Sequence, residues 1–248
     1  MARTTTLSRI AGLLLAIATP TPDWAATPTQ AEVMTRAAAM YADRLAGRNI
    51  NRDAGFTARV RGIASVLIAQ AKRDYPDTAA WAWDVHTTDD PDMNADCMAG
   101  GKILVSQAYV ERLALNDAEL AMLLAHEIEH AALHHNLKEY QAALQLEPAW
   151  AGRPFAELEY AVDHDSRLMG VLAATNYAQE QEADREGLRL AWRAGWPASA
   201  LSGYFRKMMR DSDWPRRSKA DYPSPIQRWR DAHALADSLQ KNYVQPSE

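Results

Sequence analysis

The spacing of apolar residues along the chain predicts a mostly helical protein. Apolar positions recur at three- and four-residue intervals over residues 30–46, 58–73 and 117–136, the spacing of helices with one buried side. Asn116 and Glu119 stand three residues apart at the start of the third stretch. This is the spacing of a capping box, in which each side chain accepts a hydrogen bond from the backbone N–H of the other residue. This helix is therefore expected to begin at about residue 117.

Two shorter segments have the pattern of β-strands. Trp81, Trp83 and Val85 alternate with smaller or polar residues, which indicates a half-buried strand. Lys102–Ser106 follows a Gly-Gly turn and is predicted to form a second strand. The order of these elements predicts an α+β fold that is mostly helical, with a small β-sheet beside the 117–136 helix.

The segment between residues 139 and 175 has the least regular pattern. Pro148 and the turn at 152–154 interrupt it. The Asp-His-Asp cluster at 163–165 could supply a ligand or a flap, but a capped, solvated helix start is the favoured interpretation. A further helix is predicted over 176–192.

Composition is that of one enzyme-sized globular domain without nucleic-acid partners. The chain has 248 residues, of which 48% are hydrophobic and 24% charged, enough for a substantial core within a single domain. Its formal charge of -5 argues against a general nucleic-acid binder, because phosphate binding requires clustered Lys and Arg. The single cysteine, Cys97, allows no internal disulfide and is interpreted as a small buried apolar residue in preference to a metal or redox ligand.

The N-terminus has the pattern of an export signal. Arg3 and Arg9 precede an apolar run over 10–18, which is too short to span a bilayer, and small residues follow at Ala25 and Ala26. Residues 1–26 are therefore predicted to be a signal peptide. The remaining residues, 27–248, are predicted to form one domain in the periplasm without a transmembrane span.

The candidate chemistry centres on His126-Glu127-Ile128-Glu129-His130. Residues four apart lie on the same side of a helix, so His126 and His130 can bind one metal ion with Glu127 beside them. A catalytic zinc site needs a third protein ligand and leaves one position open for water. The alternative is a surface helix whose histidines are merely solvated.

The helix predicted over 176–192 offers the missing ligand. Glu180 and Asp184 are four residues apart and share one side, whereas Glu182 and Glu186 are expected to project elsewhere. One carboxylate can bind the metal while the other orients a ligating histidine. His134, one turn beyond His130, is interpreted as a supporting or solvated residue.

Several strings carry a resemblance to a known family: Met93-Asn94-Ala95, Gly100–Ser106, Leu123–His130, Glu180–Asp184 and Ala194-Gly195-Trp196. The chain resembles family forty-eight of the metallopeptidases, the HtpX-like and CAAX-protease-like group of gluzincins, from about residue 51 to 234. The resemblance implies a zincin-like domain that binds one Zn²⁺ through His126, His130 and Glu180. It also implies that Glu127 is the catalytic glutamate and that Asp184 orients a ligand.

The sequence departs from the family pattern at two positions. Glu129 stands where a small residue is usual, which suggests an extra carboxylate near the site. Tyr222 stands where the family commonly has a histidine, while Arg228 matches a family arginine. Tyr222, Arg228 and Asn94 are predicted to contact the oxyanion or the substrate, although a packing role for Tyr222 in a Pro-rich loop is equally open.

The predicted function is zinc-dependent hydrolysis of peptide bonds in polypeptides, with unfolded or misassembled envelope proteins as expected substrates. Glu127 is the predicted general base. An extended peptide is expected to bind along the strand edge near residues 94–98. The alternative function is that of a periplasmic chaperone or peptide-binding protein that keeps the zinc scaffold without cleavage.

Overall fold

The computed structural model describes residues 27–47, 50–51, 53–211 and 222–242. The helices in these ranges are α1 (Gln30–Gly47), α2 (Ala54–Asp74), α3 (Gln107–Arg112), α4 (Asp117–Ala132), α5 (His135–Leu146), α6 (Phe155–His164), α7 (Ser166–Arg193), α8 (Ala198–Leu201), α9 (Gly203–Arg210) and α10 (Pro225–Asn242). The strands are β1 (Asp84–Thr88), β2 (Ala95–Met98) and β3 (Lys102–Ser106). The predicted α+β class, mostly helical with a small sheet, is confirmed.

The sheet has the order β1-β3-β2, so β2 is an edge strand. β3 pairs in parallel with β1 and antiparallel with β2. Ile103 and Val105 belong to a core with α2, α4, α9 and α10, whereas Leu104 belongs to a second core with α1, α5 and α6. This alternation along β3 places helices on both faces of the sheet, as the period of two requires.

Two predicted boundaries near the sheet are wrong. The strand predicted from Trp81 begins only at Asp84, because the two tryptophans pack before the strand starts. The Trp83 Nε1 donates to the Thr78 carbonyl at 3.0 Å, and its ring closes over Gly101. The second helix, α2, begins four residues earlier than predicted, since the Asp53 side chain accepts from the Phe56 N–H at 2.9 Å and caps it.

The helix that carries the histidines also ends earlier than predicted. α4 begins at Asp117 with the expected capping box of Asn116 and Glu119, but it ends at Ala132, not at residue 136. His134 has φ 58°, in the left-handed region that histidine enters more readily than most residues. The chain turns there and starts again as α5 at His135.

α7 is longer than the predicted 176–192 helix. It begins at Ser166, where the Asp165 carboxylate accepts from the N–H groups of Arg167 and Leu168. The predicted capped helix start at 163–165 is therefore confirmed at Asp165, whereas the two residues before it end α6. α7 then crosses α4. Among the described residues, no helix is both long and apolar enough to span a membrane, and the predicted signal peptide lies outside these residues.

Candidate metal centre

Three predicted ligand side chains converge where α7 crosses α4. His126 Nε2 lies 3.2 Å from His130 Nε2 and 3.6 Å from Glu180 Oε2, and His130 Nε2 lies 3.3 Å from Glu180 Oε1. Zinc bonds of roughly 2.0–2.1 Å in tetrahedral geometry separate neighbouring ligand atoms by about 3.3 Å. These side chains therefore have the spacing of a tetrahedral zinc site, and His126, His130 and Glu180 form a group that could hold a metal ion.

Asp184 lies on the opposite side of the His126 ring from this cluster. Its Oδ1 is 3.0 Å from His126 Nδ1, so its negative charge stabilises a proton on Nδ1 and leaves the lone pair on Nε2, toward the ligand cluster. Burial lowers the pKa of His126, which favours the neutral form that binds metals. Asp184 thus has the position expected of a residue that orients a ligating histidine.

Arg228, from α10, ties the two carboxylates of α7 together. Its Nε and Nη2 donate to Asp184 at 2.7 and 2.6 Å, and its Nη1 lies 3.3 Å from Glu180 Oε2. Burial opposes ionisation of both carboxyl groups. For Asp184, the positive charge of Arg228 is the largest effect that opposes burial. For Glu180, His130, His126 and Arg228 together oppose it. The pKa values of both carboxyl groups therefore lie below their ordinary range. Arg228 therefore keeps these acids charged inside the protein.

His130 has a partner that sequence reasoning missed. His135 Nδ1 lies 3.0 Å from His130 Nδ1, and His135 Nε2 lies 3.2 Å from Glu182 Oε2. Burial and the neighbouring His130 lower the pKa of His135 to about 3, so its ring is neutral. Glu182 was expected to project away from the site, but it is linked through His135 to the Nδ1 side of His130. The sequence showed only the pair His134-His135, which the helical pattern places on a continuous helix, so it gave no signal of the helix break that allows this contact.

Glu127 faces a cleft of about 690 Å³ that opens beside the ligand cluster. Burial and the negative charges of Asp96 and Glu180 raise the pKa of Glu127 well above its ordinary value. Asn94, Tyr222 and Arg228, the three predicted contact residues, also line this cleft, although the guanidinium of Arg228 is bound to Asp184 and Glu180. Further lining residues come from β2, α1, α5 and α6: Val33, Ala37, Met40, Arg44, Ala95, Asp96, Cys97, Met98, Glu139, Tyr140, Glu159 and Val162.

Three other candidates are not part of the ligand cluster. The prediction that Glu129 adds a carboxylate near the site is wrong. Its side chain is fully buried on another side of α4, where the Tyr75 hydroxyl donates a hydrogen bond to it at 2.7 Å. His134 points toward Asp77, with a 3.4 Å contact, and not toward the ligand cluster. Cys97 is buried on β2, as expected of a small apolar residue, and burial raises the pKa of its thiol.

Comparisons with known proteins agree with this geometry. The model of the family described as Peptidase family M48 matches residues 54–237. The chain is 28% identical over 171 residues to the beta-barrel assembly-enhancing protease of Escherichia coli, covering 63% of this chain and 35% of that protein. It is 30% identical over 168 residues to the mitochondrial metalloendopeptidase OMA1 of Bos taurus, covering 63% of this chain and 32% of that protein. The chain thus spans about a third of the length of these relatives.

Proposed function

Because the chain belongs to peptidase family M48, we propose that it is a zinc-dependent metalloendopeptidase whose catalytic domain follows a leader over residues 1–26. The observation that carries the proposal is the convergence of His126, His130 and Glu180, with ligand atoms within 4.8 Å of one another. Glu127 stands beside these ligands at the cleft. One Zn²⁺ per chain fits two imidazoles and one carboxylate.

When bound, Zn²⁺ lowers the pKa of a water molecule toward neutrality and polarises a carbonyl group. Glu127 accepts the proton of the attacking water and delivers it to the amine that leaves. Asp184 and Arg228 keep His126 and Glu180 oriented. The Tyr222 hydroxyl, at the exposed rim of the cleft, can donate a hydrogen bond to the oxyanion, and Asn94 can hold the substrate backbone.

The substrates that we infer are extended polypeptides. β2 is an edge strand, and its whole length lines the cleft next to Glu127. A peptide added to this edge would be held by its backbone, so that binding depends little on sequence. The name of the Escherichia coli relative refers to β-barrel assembly. Together with the export pattern at the N-terminus, it favours unfolded or misassembled envelope proteins and a periplasmic location.

The test is cleavage of an unfolded protein by the purified chain, with and without a zinc chelator. Glu127→Gln is expected to keep its zinc and to lose about a hundred- to ten-thousand-fold in rate, because it removes the general base. Glu157→Gln, an exposed carboxylate on α6, is the matched control and should cleave at the wild-type rate.

Fragments that vanish with the chelator and with Glu127→Gln would support the peptidase. Undiminished cleavage by Glu127→Gln would contradict the role of this residue. Suppression of aggregation by the wild type without any fragments would favour the chaperone alternative.

A further inference from the structure

A chain of contacts extends from the ligand His130 through His135 to Glu182. The two Nδ1 atoms lie 3.0 Å apart, and His135 Nε2 lies 3.2 Å from Glu182 Oε2. His135 is only 2% exposed, so water does not compete for its ring. We propose that His135 and Glu182 are a positioning pair that holds His130 with its Nε2 toward the metal, an inference that rests on the zinc site of the proposed function.

The direction of the hydrogen bonds follows from the last member of the chain. A carboxylate oxygen accepts hydrogen bonds, so the contact with Glu182 Oε2 assigns the single proton of His135 to Nε2. Its Nδ1 then carries a lone pair and accepts from His130 Nδ1. The remaining nitrogen of His130, Nε2, is left with the lone pair that a metal needs. Lys138 Nζ lies 4.0 Å from the same Glu182 oxygen, so a second hydrogen-bond donor group faces this carboxyl group.

The break between α4 and α5 makes this arrangement possible. On a continuous helix, a residue five positions after His130 would lie about 140° around the axis, too far for ring contact. The left-handed turn at His134 instead brings the His135 ring to 4.8 Å from the His130 ring, centroid to centroid. The two ligating histidines are thus supported differently, His126 directly by Asp184 and His130 through a second imidazole.

The experiment compares zinc dissociation constants, measured by competition with a chromophoric chelator, for the wild-type full chain and four variants, one of which is a control. Glu182→Ala and His135→Phe are expected to weaken zinc binding about 10- to 100-fold, the usual effect of removing a partner of a ligating histidine. Glu182→Gln should weaken it less than Glu182→Ala, because the amide oxygen still accepts from His135. Glu186→Ala, one turn further along α7 and paired with Arg185 and Arg189, is the control and should bind zinc like the wild type.

A second readout is the tautomer of His135 in the zinc-loaded wild type, from long-range ¹H–¹⁵N NMR spectra. We expect its proton on Nε2, and a proton on Nδ1 would overturn the proposal. Wild-type zinc affinity in Glu182→Ala would overturn it too, and this variant changes a partly exposed side chain, so it folds even if His135→Phe does not. If the wild type binds zinc but cleaves no protein, the proposed function alone is contradicted. If the wild type binds no zinc, both the proposed function and the positioning pair are contradicted.

Discussion

At the scale of single residues, Glu129 is an acidic side chain of α4 that lies in the protein interior. Its side chain is fully buried, and Tyr75 is its hydrogen-bond donor through Oε2. Its other oxygen, Oε1, finds no donor among the described residues. Burial outweighs the Tyr75 bond and raises the pKa of Glu129 to about 7, so the folded protein prefers the neutral acid.

This raised pKa predicts a pH-dependent stability. The unfolded chain releases the proton near pH 4.5 but the folded chain only near pH 7, so the stabilisation is complete below 4.5 and lost as the pH rises through 7. The loss should reach about 3 kcal/mol, from 1.36 kcal/mol per pKa unit. Urea unfolding of zinc-free protein at pH 5 to 8 measures it. Relative to wild type, Glu129→Gln should gain stability across this range, and exposed Glu157→Gln should not. A pH-independent difference would contradict the prediction.

Residue spacing was sufficient to predict which side chains meet at the centre, but not all of their partners. His126 with His130, and Glu180 with Asp184, follow from the four-residue repeat of a helix, which needs no tertiary information. The contact of His135 depends on a left-handed residue at 134, and no helical repeat predicts it. The burial of Glu129 was missed for a related reason, since the sequence does not tell which sides of a helix are covered.

At the scale of elements, the centre depends on how closely α7 approaches α4. The point of contact is Gly187, where an added Cβ would lie 2.9 Å from His126 N and 3.0 Å from His126 Cα. Backbone atoms of a helix cannot move aside as a flexible side chain would. In the fold this glycine lets the carboxylates of one helix reach the histidines of the other.

Gly187→Ala should therefore push the two helices apart. We expect about 1–3 kcal/mol of destabilisation from overpacking, together with weaker zinc binding as Glu180 and Asp184 shift away from His126. Gly170→Ala, on the same helix, is the matched control, because an added Cβ meets nothing within 4 Å there. It should gain up to about 1 kcal/mol from helix propensity. Chemical denaturation and zinc titration check both, and equal behaviour of the two variants would contradict the close-contact argument.

At the scale of the whole molecule, the centre joins segments that are distant in the sequence. α4 supplies two ligands, α7 supplies Glu180 and Asp184, and α10 supplies Arg228. The unfolded chain cannot bring these groups together, so the proposed zinc ion is expected to bind the folded state almost exclusively. The sequence could predict the ligands in each helix. It could not predict that α10 packs against α7 and brings Arg228 to Asp184, because that contact depends on tertiary packing.

This linkage predicts that zinc stabilises the entire fold. Free zinc at a hundred times its dissociation constant should add about 2.7 kcal/mol, which for a chain of this length raises the melting temperature by roughly 5–10 °C. Melting curves recorded with zinc, with a chelator and with magnesium check this, and only zinc should shift the curve, because Mg²⁺ prefers oxygen ligands. Glu180→Ala should lose most of the shift since it removes one of three ligands, while Glu186→Ala should keep it. A melting temperature of the wild type that is indifferent to zinc would mean that the two helices do not hold the ion together.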